Sequence, residues 1–186
     1  MDPLAAPAGA AAATTAASAS AAGGAASLPE ALAAKLGVKV DAGIGIPAFE
    51  IAADKLYAAL ETLKRDPELA FDQLTYLTAT DETPETPRFR LVYFLLSVRT
   101  GRRVRVVTRV PESESPVVRS VVPLWIGANW LEREVFDMFG VRFDGHPDLR
   151  RILMPEGYGH FPLRKEFPIE GIQPDRLYRE WERASR

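Results

Sequence analysis

The chain has 186 residues, 47% of them hydrophobic and 26% charged, with a formal net charge of −2. That fits one domain of ordinary size with a proper core, and so even a balance gives the molecule no general pull toward nucleic acid or an anionic membrane. Cysteine is absent, which excludes disulfides, a nucleophilic thiol and any Cys-ligated zinc or iron–sulfur site.

Residues 1–26 are mostly alanine with Pro, Gly, Ser and Thr, and Asp2 is their only charge. No Lys or Arg precedes Lys35, so a basic secretory start is missing. Scattered glycine and proline without an amphipathic stripe predict a disordered tail. Leu28 to Leu36 suits a short helix opened by Ser27, with Pro29 near its start. Gly37 to Gly45 reads as a loop or short strand. Ile51 to Leu63 is a clearer helix: Ile51, Leu56, Leu60 and Leu63 follow one face, and Asp66-Pro67 ends it.

A β region follows. Phe71 to Ala79 reads as a strand and Asp81 to Pro87 as a polar turn. Arg88 to Val98 and Arg103 to Val110 pair as a hairpin around Thr100-Gly101. In the last strand Val104, Val106, Thr108 and Val110 alternate with Arg103, Arg105 and Arg109, so the sheet has one packed face and one polar face. Leu91 to Leu96 is the longest apolar run, far short of the roughly eighteen residues a spanning helix requires. Pro116 to Val122 suits another helix, stopped by Pro123.

The most informative stretch comes next. Asn129 can cap a helix that runs to Phe139, with Glu132 completing a capping box, and Gly140 suits the left-handed position beyond its end. From 141 to 173 no period survives, and the prolines at 147, 155, 162 and 168 forbid a long helix or an interior strand. Yet Ile152, Leu153, Met154, Phe161 and Phe167 are too apolar for a solvated linker. The segment reads as an extended arm that needs a surface to lie on. A final helix over 174–184 presents Leu177, Tyr178 and Trp181. The predicted class is α+β: an antiparallel or mixed sheet with helices on one face, then a long irregular arm and a short last helix. Its parts are the tail 1–26, an α+β domain 27–140, and an arm with terminal helix, 141–186, for partner binding.

Three charge constellations carry competing chemistries. Seven arginines and no acid lie between Arg88 and Arg109. They could track phosphates, but a charged sheet face neutralised by Asp81, Glu82, Glu85, Glu112 and Glu114 is the plainer reading. Glu132, Glu134, Asp137, His146 and Asp148 could be drawn as a metal or acid/base cluster. Interleaved with Arg133, Arg142, Arg150 and Arg151, they suit salt bridges between helix and arm better. His146, extended by Pro147, suits a backbone hydrogen bond. Arg150-Arg151 and Arg164-Lys165, bracketed by Leu149, Ile152, Leu163 and Phe167, suit docking into an acidic groove; an arm folded onto its own domain is the alternative. A free-standing metal hydrolase or nucleic-acid module stays open as the rival of another class.

The run Glu132-Arg-Glu-Val-Phe-Asp-Met-Phe-Gly-Val-Arg-Phe-Asp-Gly-His-Pro-Asp-Leu-Arg-Arg-Ile-Leu-Met154, with Pro162-Leu-Arg-Lys-Glu-Phe-Pro168, resembles the C subunit of the respiratory NADH:quinone oxidoreductase, complex I. The departure is Phe161, which intervenes where the family runs Gly-His directly into Pro-Leu-Arg-Lys. No role is therefore carried over to His160. The resemblance implies a non-catalytic structural component of the hydrophilic arm that braces the quinone-reducing module of a proton-translocating machine. It implies no cofactor in this chain, with FMN and iron–sulfur clusters in partner subunits. It also implies contacts with the D, B and I subunits, no nucleic acid, only indirect membrane contact, and a peripheral place on the cytoplasmic side. An equivalent subunit of a hydrogenase-type complex is the near alternative. On this reading no residue is catalytic. Glu132, Arg133, Glu134 and Asp137 lock helix to arm, while His146, Arg150, Arg151, Arg164 and Lys165 hold the arm or meet a partner.

Overall fold

Alternation in the middle of the chain builds a mixed five-stranded sheet. The computed structural model of the chain describes residues 40–41, 45–111, 113, 115–172 and 183–184. β1 (Val40–Asp41), β2 (Ala48–Glu50), β3 (Gln73–Asp81), β4 (Phe89–Leu96) and β5 (Arg103–Val110) lie in the order β1-β2-β5-β4-β3. β3, β4 and β5 are antiparallel neighbours, while β2 runs parallel to β5 and antiparallel to β1.

One face is packed as the period predicts. Val104, Val106, Thr108 and Val110 are buried with Leu91, Tyr93 and Leu95 of β4 and Leu77 and Ala79 of β3. Helices α1 (Leu56–Arg65) and α2 (Ala128–Phe139) join the same core through Leu56, Leu60 and Leu63, and through Val135, Met138 and Phe139. Ten residues are too few for a helix to persist alone in water. Burying each leucine contributes roughly 1.5–3 kcal/mol, so the core, not propensity, holds α1. On the other face Arg90 pairs with Glu82 at 3.7 Å, and Arg109 meets Glu50 at 3.0 Å, Glu85 at 3.9 Å and Glu82. The arginine-rich hairpin is thus neutralised by acids of the neighbouring turn and of β2; Glu112 and Glu114 lie outside the described residues.

Several sequence expectations need correction. The helix placed at 116–122 is instead β6 (Val117–Arg119), paired in parallel with β7 (Arg142–Asp144) in a separate two-stranded sheet. β-Branched Val117 and Val118 favour that state once a partner strand arrives. β7 also places regular structure inside a segment expected to be wholly irregular. Helix α1 starts at Leu56 because Ile51 continues the pairing of β2, its amide donating to the Val107 carbonyl at 2.8 Å. Helix α2 starts at Ala128, with Gly127 at its head and no side-chain cap, so the box of Asn129 and Glu132 does not form. Gly140 is left-handed as predicted, at φ 76°. The tail 1–26 and the helix expected at 28–36 lie outside the described residues, as does the helix at 174–184 apart from helical residues 183 and 184.

Candidate functional site

Helix α2 is the crossover between the parallel strands β6 and β7, and the arm returns across its C-terminal half. Asp137 is the centre of that return. Its side chain is fully buried, and its Oδ2 accepts three successive backbone amides, from Ile152 at 3.0 Å, Leu153 at 2.7 Å and Met154 at 2.8 Å. Oδ1 accepts the Arg151 guanidinium at 2.6 Å. Burial works to raise the Asp137 pKa, but the amides of Met154, Leu153 and Ile152 and the Arg151 guanidinium overcome it and hold the carboxyl below its usual range. One turn earlier, Arg133 donates to the Arg150 carbonyl at 3.1 Å and the Arg151 carbonyl at 3.2 Å, and its guanidinium lies 4.9 Å from the Trp130 ring centre. An irregular arm leaves its backbone groups without ladder partners. Here one buried carboxylate and one guanidinium supply them.

A second hold lies at the end of α2. Arg164 donates Nε–H to the Phe139 carbonyl at 2.6 Å and lies between the rings of Phe161, at 4.4 Å, and Phe89, at 5.3 Å. The Leu163 amide donates to the Met138 carbonyl at 3.2 Å. Gly140 is required twice: for its positive φ, and because a Cβ there would stand 2.6 Å from Arg164 Nη2 and 2.7 Å from the Phe161 ring. A third hold reaches the sheet. The Lys165 amide donates to Asp81 Oδ2 at 2.9 Å, and Lys165 Nζ donates to the Thr83 carbonyl at 2.6 Å. Asp81 also accepts Arg88 at 2.8 and 3.0 Å, and Arg88 reaches on to Glu166. Burial acts to raise the Asp81 pKa, yet Arg88, Thr83 and the Lys165 amide hold it well below the carboxylate range.

Glu132 does not reach the arm backbone. It is fully buried and accepts the Val121 amide at 2.6 Å and the Ser120 hydroxyl at 2.7 Å, tying α2 to the chain just after β6. Burial pushes its pKa up to about 7 against the pull of those two bonds. The buried Tyr93 phenol is raised in turn, by its own burial and then by the Glu132 charge. His146 Nε2 stands 4.0 Å from Glu132 Oε2. Its Nδ1 accepts the Asp148 amide at 3.0 Å, so the proton sits on Nε2, which faces the Asn129 carbonyl at 3.2 Å.

The residues singled out in sequence therefore divide. Arg133, Asp137, Arg151, Arg164 and Lys165 meet at the junction of arm and domain; Glu132 and His146 form a separate pair. Glu134 is half-buried with no hydrogen bond or ion pair among the described residues. Arg150 contributes only its carbonyl to the junction. Its side chain is 60% exposed and pairs at 3.0 Å with Asp148, an interaction of roughly 0–1 kcal/mol. The drawn metal cluster does not assemble, because Asp137 is saturated by amides while His146 turns both nitrogens to the backbone. Among the described residues no three His, Asp or Glu side chains are placed to hold a metal ion. Sequence reasoning missed Asp81, Arg88 and Phe161 as arm contacts. The only signal was a lone acid beside a proline-rich turn, which reads equally well as a counterion.

Outward, the same region exposes Ile126, Trp130, Leu153, Leu163 and Ile169, all more than half accessible. No helix among the described residues is long and apolar enough to cross a membrane.

A mixed sheet with a parallel β6-α2-β7 clasp and a returning arm belongs to a known class. Residues 49–173 match the family described as respiratory-chain NADH dehydrogenase, 30 Kd subunit, and the chain is a member of that family. It is 47% identical over 129 residues to the C 2 subunit of NADH-quinone oxidoreductase from Rhizobium meliloti (strain 1021), covering 69% of this chain and 70% of that protein. To the C subunit of NADH-quinone oxidoreductase from Burkholderia cenocepacia (strain HI2424) it is 41% identical over 152 residues, covering 78% and 76%. Among solved structures, the trypsin-resistant fragment (1–134) of Nqo5 superposes with a TM-score of 0.57 at 34% identity, covering 64% of this chain and 95% of the fragment. A chain of the membrane-bound sulfane sulfur reductase, an archaeal respiratory membrane complex, superposes with a TM-score of 0.63 at 23% identity, covering 82% and 88%. At that identity the likeness is one of fold.

Proposed function

We propose that the chain is the structural C subunit of a proton-translocating NADH:quinone oxidoreductase and braces its quinone-reducing module without catalysing a step itself. Membership of the 30 Kd subunit family supports this, with the named relatives at 41–47% identity. One geometric observation carries the bracing role: an irregular, half-apolar arm is pinned to the domain through Asp137, with Leu153 and Leu163 left facing outward. A segment so fixed meets a partner with little ordering entropy left to lose. Partners of the D, B and I type take this surface; FMN and iron–sulfur clusters reside in partner subunits, and the complex holds the chain at the cytoplasmic side of the membrane.

The test is purification from detergent-solubilised membranes through a tag on this chain, with mass spectrometry and an assay of NADH-driven quinone reduction. The unaltered chain is expected to bring down flavin- and cluster-bearing subunits with that activity. A Leu163→Asp variant should keep its folded circular-dichroism spectrum and lose most of those partners. Recovery of the unaltered chain alone, or with hydrogenase subunits, would overturn the assignment. Wild-type recovery with Leu163→Asp would remove the arm from the interface.

A further inference from the structure

The sheet face opposite the two helices carries a covered apolar patch with no described element above it. Ala48, Val92 and Val107 are 4%, 8% and 3% exposed. They form a cluster apart from the main core, and among the described residues only Phe94 packs against it as a partly buried hydrophobe. Valines on an open sheet face stay accessible, so burial this deep calls for a layer across them. The flanking arginines are drawn sideways, Arg105 to the Ile46 carbonyl at 2.8 Å and Arg109 to Glu50 and Glu82 at the sheet margin. Beside the patch lies a cavity of about 370 Å³, lined among others by Ile46, Tyr76, Phe94 and Arg103.

Topology says which chain segment is at hand. Val40 pairs with Phe49, and Phe49 with Val106, while β1 runs antiparallel to β2 and so to β5. The chain before Val40 therefore arrives from the Val110 end of the sheet, and the cavity lies at the Arg103 end. Between them is about five residues of strand, roughly 17 Å. Residues 28–36 carry Leu28, Leu32 and Leu36 at helical spacing, Glu30 on the opposite side, and Gly37 just past the end. As a helix they span roughly 13 Å. Length, apolar stripe and point of entry all match the uncovered face.

We infer that residues 28–36 form an amphipathic helix lying across this face, with Leu32 over Val92 and Val107 and Leu28 toward the cavity. The chain thereby closes its own second sheet face, and that face offers no seat to a partner subunit.

The absence of native cysteine makes the test direct. In the full-length chain, the pairs Leu32→Cys with Phe94→Cys and Leu28→Cys with Tyr76→Cys are expected to form an intrachain disulfide under mild oxidation, since bridging needs Cα atoms within about 7 Å. The control pair Leu32→Cys with Ile126→Cys, on the helix side, should not. Covalent dimers instead of intrachain bridges would put a second copy on the face and overturn the inference. So would thiols that stay free and reagent-accessible in both pairs. Hydrogen exchange on the unaltered chain guards against damage by substitution. Amides of 32–36 should exchange on the order of 100-fold more slowly than those of 10–20, and equal rates would also overturn it.

Discussion

Replacing Asp137 by asparagine keeps the shape of the side chain and removes its charge. Whichever way the amide turns, an N–H group then faces either the Arg151 guanidinium or the amides of 152–154. Hydrogen bonds to a charged group contribute about 1.5–3 kcal/mol each. Four of them do not add, because the freed amides regain water once the arm lifts. The loss is set by the roughly 3–5 kcal/mol of a broken buried pair. At about 1.4 kcal/mol per tenfold, protection of the Ile152, Leu153 and Met154 amides should fall by about two to four orders of magnitude. Amides of Leu91 and Val106, in the central strands, should keep theirs, and trypsin should gain access at Arg150 and Arg151. The folded Asp137 carboxyl is held below its ordinary 3.8, so its contribution is present above that pH and lost as pH falls through the lower folded value. Asp137→Asn should abolish this acid-induced release of the arm. Unchanged protection at 152–154, or loss in step with Leu91 and Val106, would refute the reasoning that the carboxylate locally holds the arm.

Gly140→Ala should destabilise by about 2–4 kcal/mol, from the left-handed backbone and from crowding of Arg164 and Phe161, read as a lower urea midpoint. Glu132 has a folded pKa of about 7 against an ordinary 4.5. Its stabilisation is therefore full below 4.5 and is lost as pH rises through 7, a span of roughly 3 kcal/mol. Glu132→Gln should match the unaltered chain near pH 5 and exceed it in thermal stability near pH 8; parallel pH profiles would show that Glu132 is ionised throughout. The two neighbouring arginines should separate. Arg151→Glu should release the arm as Asp137→Asn does, whereas Arg150→Glu should leave stability within about 0.5 kcal/mol and act only on partner recovery. A joint reversal of both would confuse folding with docking.

The antiparallel strands and α1's apolar face were legible because each rests on a period that one strand or helix carries alone. Val104, Val106, Thr108 and Val110 alternate without reference to anything distant. Gly140 was legible as a helix stop, though not as the floor beneath Arg164 and Phe161. What escaped depends on residues far along the chain. Val117 to Arg119 becomes a strand only because Arg142 to Asp144 lies beside it, and Glu132 abandons a local capping box for Ser120 and Val121. The role of Asp137 could be stated only as helix-to-arm contact. That it collects three consecutive amides follows from where residues 152–154 land, and no spacing rule reports that. The charge pattern located the junction; it did not assign the bonds.

Three consecutive N–H groups converging on one oxygen, with a guanidinium at the other, make the 151–154 turn a receptor for anions in general. The protein plugs that receptor with its own side chain. An Asp137→Ala chain should therefore respond to small carboxylates in the buffer: formate or acetate would enter the vacated cradle, re-seat the arm and restore amide protection, while a neutral isostere such as acetamide would not. Attachment of the arm would then become titratable by an added solute, turning a fixed joint into a ligand-operated one.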